Sequence, residues 1–80
     1  MTSCKAVALR ICNIMLDKNL TKSSVYKKIA MNESTLRSIL EERCKSVKLD
    51  TIILICDGLG ISLQEFFDDD LFKRENLEID

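Results

Sequence analysis

Ser34, Arg37 and Ser38 recur at intervals that place them on one side of a helix, with Asn32 and Glu33 immediately ahead of them. The set holds hydrogen-bond donors and acceptors. Arg37 can give two hydrogen bonds to a guanine edge. Glu33 can accept from a cytosine amino group, or favour the positive end of its own helix. Lys22, Lys27, Arg43, Lys45 and Lys48 are cations of the kind that neutralise phosphates without reading sequence, although any one lysine is equally a solvated surface residue. Catalytic chemistry is not expected. The chain has no histidine, no paired nucleophile and base and no Gly-rich phosphate loop. It also lacks a close Cys-x-x-Cys pair, so neither a metal nor another cofactor is implied.

The charge is divided along the chain. Residues 1–48 hold ten Lys and Arg against four acids, a net +6, and residues 49–80 hold two against nine, a net −7, which together give the overall −1. This asymmetry suits one basic face for a polyanion and one end turned away from it. The four cysteines, Cys4, Cys12, Cys44 and Cys56, read as free, small, buried hydrophobes, because nothing in the sequence implies an oxidising compartment.

These side chains need a scaffold, and eighty residues provide for one domain. A composition 46% hydrophobic and 31% charged argues against wholesale disorder. With no Pro and only Gly58 and Gly60, helices joined by tight turns are expected. No apolar run approaches membrane-spanning length, and Lys5 and Arg10 interrupt the N-terminal apolar residues, so no signal peptide and a cytoplasmic location are expected.

Val7, Ile11 and Ile14 predict a first helix from about Cys4 to Lys18, stopped at Asn19. Thr21 caps a second helix, from about Lys22 to Ala30, that buries Val25 and Ile29. A three-residue turn, Ala30-Met31-Asn32, leads to a third helix from Glu33 to Glu41 or Glu42, capped by Asn32. Leu36, Ile39 and Leu40 fall on its inner side, so Ser34, Arg37, Ser38 and Glu41 face outward. Residues 43–48 read as a basic loop. A fourth helix spans about Leu49 to Leu59, buries Ile52, Ile55, Cys56 and Leu59, and ends at Gly60. Ser62-Leu63-Gln64-Glu65 reads as a capping box opening a short fifth helix with Leu63, Phe66 and Phe67.

The run from Val7 to Phe67 resembles the phage-repressor (Cro-like, XRE) helix-turn-helix family, with a lambda-repressor-like DNA-binding domain. The resemblance rests on Leu20-Thr21-Lys22, on Met31-Asn32-Glu33-Ser34-Thr35-Leu36, and most strongly on Leu49-Asp50-Thr51-Ile52, Ile55-Cys56 and Leu59 to Phe67. It implies an all-α, compact five-helix domain over residues 1–70, with residues 71–80 as a C-terminal tail. It further implies a sequence-specific, repressor-like regulator that puts the third helix into the major groove of double-stranded DNA. Asn32, Glu33, Ser34, Arg37 and Ser38 would contact bases; Lys22, Lys27, Arg43, Lys45 and Lys48 would contact phosphates.

The sequence departs from the family pattern in four places. Tyr26 replaces a small alanine and should crowd the angle between the second and third helices or point outward. Ala30 replaces the turn glycine, which would strain a left-handed conformation there. Glu42 replaces the glycine after the third helix and would let that helix run on. Lys22 stands where many members have a glutamine that buttresses a phosphate contact. Glu41 and Glu42 would also weaken nonspecific attraction to phosphates.

Leu54 points away from the Ile52, Ile55 and Leu59 face. With Leu71 and Phe72, and with Leu77 and Ile79, it is the expected contact of a homodimer or is covered by the tail. The alternative on the same fold is a protein-interaction module, an antitoxin or adaptor, using Leu54 and the tail.

Overall fold

The computed structural model describes residues 1–79; the tail's last residue, Asp80, lies outside the described residues. Five α-helices form the body: α1 (Ser3–Asp17), α2 (Lys22–Lys28), α3 (Glu33–Leu40), α4 (Leu49–Leu59) and α5 (Leu63–Phe67). No strand occurs among the described residues, as an all-helical reading requires. No helix is long and apolar enough to cross a membrane.

Short polar side chains start the helices. The side chains of Thr2, Thr21, Asn32 and Ser62 accept from the backbone N–H of Lys5, Ser24, Ser34 and Glu65, satisfying donors that have no partner inside the helix. Ser62 makes its half of the expected capping box; no return bond from the Glu65 side chain is found among the described residues.

Three helices close with the same pair of backbone bonds. After α1, Asn19 N–H donates to Leu16 and Leu20 N–H to Met15. After α3, Glu42 N–H donates to Ile39 and Arg43 N–H to Ser38; after α4, Gly60 N–H donates to Asp57 and Ile61 N–H to Cys56. This closure needs one left-handed residue. That residue is Asn19 (φ 55°), Glu42 (φ 59°) or Gly60 (φ 75°). The third helix therefore does not run on through Glu42 but stops at Leu40, and the strain anticipated at Ala30 falls on Glu42 instead.

The second helix also ends earlier than its pattern implies, at Lys28 rather than Ala30. Ile29 leaves the helix in an extended conformation, φ −87° and ψ 123°, and packs against α4 at Gly58. The turn accordingly includes Ile29 as well as Ala30, Met31 and Asn32.

Val7, Ile11, Ile14, Val25, Ile29, Leu36, Ile39, Ile52, Ile55, Leu59 and Phe66 supply most of the core, drawn from all five helices and the turn after α2. Fully burying one such side chain contributes roughly 1.5–3 kcal/mol. Arg10 does not belong to the outward basic set. Its guanidinium donates to the carbonyls of Phe66 and Glu65, both at 2.8 Å, and pairs with Asp69 at 3.3 Å. A cation at the last carbonyls of α5 suits the negative end of that helix.

The cysteines correct the expectation of four free, buried thiols. Cys4, in the first turn of α1, is joined by a disulfide to Cys44 in the loop after α3, with Cα atoms 6.0 Å apart. Cys12 is free and exposed, and only Cys56 is both free and buried. Burial pushes the Cys56 thiol pKa up, and the negative charge of Asp57 adds to the shift.

Beyond α5 the chain makes two single-turn 3₁₀ segments, Asp70–Phe72 and Arg74–Asn76. Phe72 packs against the core, its ring tilted against Phe66 and edge-on to Phe67, with ring centroids 5.7 and 4.8 Å away. The tail then returns to the start of the chain: the Met1 ammonium donates to the Asn76 carbonyl, and Glu78 N–H donates to the Met1 carbonyl, both at 2.7 Å.

Candidate nucleic-acid interface

α3 is held from below and open above. Leu36 and Ile39 are buried and Leu40 is half-buried against the core, whereas Asn32, Glu33, Ser34, Thr35 and Arg37 are exposed. Apolar residues at i, i+3 and i+4 fix which side faces the body, and the polar residues between them follow.

Several exposed groups are already engaged locally. Asn32 Oδ1 accepts from both the backbone N–H and the hydroxyl of Ser34, each at 2.8 Å. Arg37 pairs with Glu33 one turn earlier at 2.6 Å, with both side chains about half exposed. A solvated pair of this kind is worth only about 0.3–0.5 kcal/mol, so Arg37 can leave it for a bidentate acceptor at little cost. Glu33 thus has a partner beyond its helix end.

Ser38 is half-buried. With Ser34, Thr35, Ile39, Cys44, Ser46, Val47 and Thr51 it lines an open groove between α3 and the start of α4. Thr35 and Thr51 entered the sequence reading only through the family resemblance and Ser46 not at all, and none was expected at the site. Thr35 is legible on the α3 helical wheel, one position from Ser34, whereas Ser46 and Thr51 join it only because the loop and the start of α4 lie beside α3.

Four cations, Lys22 and Lys27 on α2 and Lys45 and Lys48 on the loop, are exposed and form no ion pair with any described residue. Arg43 differs from them, since it is paired with Glu41. Glu42 is exposed at the foot of α3. Tyr26 neither points free into solvent nor disappears into the core. It is half-buried against the core and lines a shallow hollow with Ser23, Lys27 and Glu33, between α2 and the start of α3.

The residues expected at a dimer contact are dispersed in their surroundings. Leu54 is exposed on α4, as are Leu49 and Ile53, neither of which was expected at that contact. Leu71 is half-buried, and the ring of Phe72 is engaged within its own chain.

Among protein families, the Cro/C1-type HTH DNA-binding domain matches residues 10–70. Searches of the curated proteins and of the solved structures give no significant match.

Proposed function

The chain belongs to the Cro/C1-type helix-turn-helix family, and from that premise we propose that it is a sequence-specific, repressor-like transcriptional regulator acting as a homodimer. In this reading α3 enters the major groove with its N-terminal end toward the base edges. The observation that carries the reading is the division of α3 itself: an apolar side anchored by Leu36 and Ile39, and an exposed polar side flanked by lysines that form no ion pair with any described residue.

Arg37 and Ser34 are the principal base readers, Arg37 after exchanging Glu33 for a guanine. Asn32, Glu33 and Ser38 complete the base-facing set, with Asn32 mainly fixing the helix end through its bonds to Ser34. Lys22, Lys27, Lys45 and Lys48 meet phosphates directly, and Arg43 does so by leaving Glu41. A second copy contacts the face of Leu54, and Leu71 and Phe72 join it only through the parts of them that remain half-exposed. Such a dimer presents two copies of α3 about 34 Å apart, one turn of DNA.

Selection of bound duplexes from a random pool tests this reading. Recovery of two symmetric half-sites, with affinity falling steeply between about 50 and 200 mM salt, is the expected result. Failure to retain any duplex at low salt sinks it.

A further inference from the structure

We propose that the Cys4–Cys44 disulfide is a thiol-controlled latch on the loop of residues 43–48, holding it ready for DNA when oxidised and releasing it when reduced. The inference rests on the DNA-binding reading above. Cys44 lies between Arg43 and Lys45 in the loop that follows α3, and Lys48 ends the same loop. The backbone N–H groups of residues 44–48 donate to no described residue. Between the Arg43 N–H bond to Ser38 and the Lys48 carbonyl that accepts from Ile52 N–H, the stretch is held by the packing of Val47 and Cys44 against the core and by the Cys44 link to buried Cys4 in the first turn of α1. Breaking the link removes the one covalent hold and leaves packing alone between those two ends. The loop cations then have to be ordered on binding rather than beforehand, which lowers affinity.

The two sulfurs differ in access. Cys4 is fully buried, whereas Cys44 is half-buried and lines the open groove beside α3. A small-molecule thiolate consequently attacks Cys44 Sγ. The Cys4–Cys44 bond breaks as the mixed disulfide forms, and Cys4 leaves as a thiolate that takes up a proton. A second small thiolate attacks the outer sulfur of the mixed disulfide, releasing Cys44 as a thiolate and forming the small-molecule disulfide. Two electrons pass from the two small thiols to the protein. Reoxidation by that disulfide reverses each step. Cys56, buried with its thiol pKa raised, is a poor competitor, whereas exposed Cys12 is removed by Cys12→Ser for the test.

The test compares oxidised and reduced Cys12→Ser protein on a labelled random-sequence duplex at one low salt concentration, with alkylation counting the free thiols in each sample. The oxidised form is expected to bind about tenfold more tightly, within the range typical of coupled equilibria. A Cys44→Ser variant in the same background should bind like the reduced form and ignore redox state. Linkage requires saturating duplex to shift the thiol–disulfide equilibrium toward the disulfide by the same factor.

Equal affinity of the two forms overturns the latch while leaving DNA binding intact. Failure of Cys4 and Cys44 to oxidise with a small-molecule disulfide also overturns it. So does loss of the helical circular dichroism signal on reduction, which would make the bond a global staple rather than a local latch. No binding by either form refutes the DNA reading, and the latch falls with it.

Discussion

Glu42 occupies the left-handed position that Asn19 and Gly60 fill at the two other helix ends of the same design. A side chain with a β-carbon costs about 1 kcal/mol or more there, and Asn bears it better than Glu. Glu42→Gly should therefore stabilise the protein by about 0.5–1 kcal/mol, measured as a rise of several degrees in melting temperature. A fall in melting temperature would refute the strain. Gly58 calls for the opposite expectation. Exposed helical Gly→Ala changes usually stabilise by about 1 kcal/mol. Here an added Cβ would stand 2.4 Å from Ile29 Cγ1 and 2.9 Å from Ile29 Cα. The side chain can turn aside, but the backbone can do so only by separating α4 from the turn after α2. Gly58→Ala should thus destabilise by about 1–3 kcal/mol in a denaturant titration. A stabilised variant would mean that this close approach is not needed.

The helices themselves were largely legible in the sequence, because what starts and stops them is local. Thr21, Asn32 and Ser62 can reach an orphan N–H within three residues, and Asn19 and Gly60 can turn the chain without help from elsewhere. The pattern misled at two helix ends, for different reasons. α2 loses its expected last residues to a tertiary contact, because Ile29 must meet Gly58, whereas α3 stops before Glu42 through a local closure in which Arg43 N–H returns to Ser38 around a left-handed residue that is not the usual Gly or Asn. The polar face of α3 was likewise legible from the 3.6-residue period, but not the disulfide, whose cysteines lie 40 residues apart. Neither was the removal of Arg10 from the basic set, which depends on α5 lying against α1. Within α3 and its loop, the two proposed kinds of DNA contact predict different defects. Arg37→Ala should relax sequence preference, at about 1–3 kcal/mol for the base it reads. Lys45→Ala should weaken all sequences alike and reduce the salt slope by about one. Equal effects in a competition titration would defeat that assignment.

At the scale of the whole molecule, the crosslink and the open face of α4 act on different equilibria. The disulfide closes a loop of 40 residues between the start of α1 and the foot of α3, the two helices whose packing supports the proposed reading surface. In the chain-entropy account, a closure of this length stabilises the fold by up to about 4 kcal/mol. That is a large part of the roughly 5–15 kcal/mol typical of a domain, and it acts mainly by restricting the unfolded chain. Reduction should lower the melting temperature by roughly 15–30 °C while leaving the fold intact at room temperature. An unchanged melting curve would deny the bond its structural weight. Leu54, by contrast, stands 37% exposed on a helix that also exposes Leu49 at 56% and Ile53 at 40%, so a charge placed there meets water in the monomer. Leu54→Glu should leave the monomer's melting temperature nearly unchanged, since surface substitutions usually fall within about 0.5 kcal/mol. In a homodimer the same charge would be buried without a partner, at a cost of several kcal/mol per copy. Sedimentation velocity should then show a dimer for the parent chain and a monomer for the variant. If the variant keeps the parent's mass, Leu54 is not in the interface.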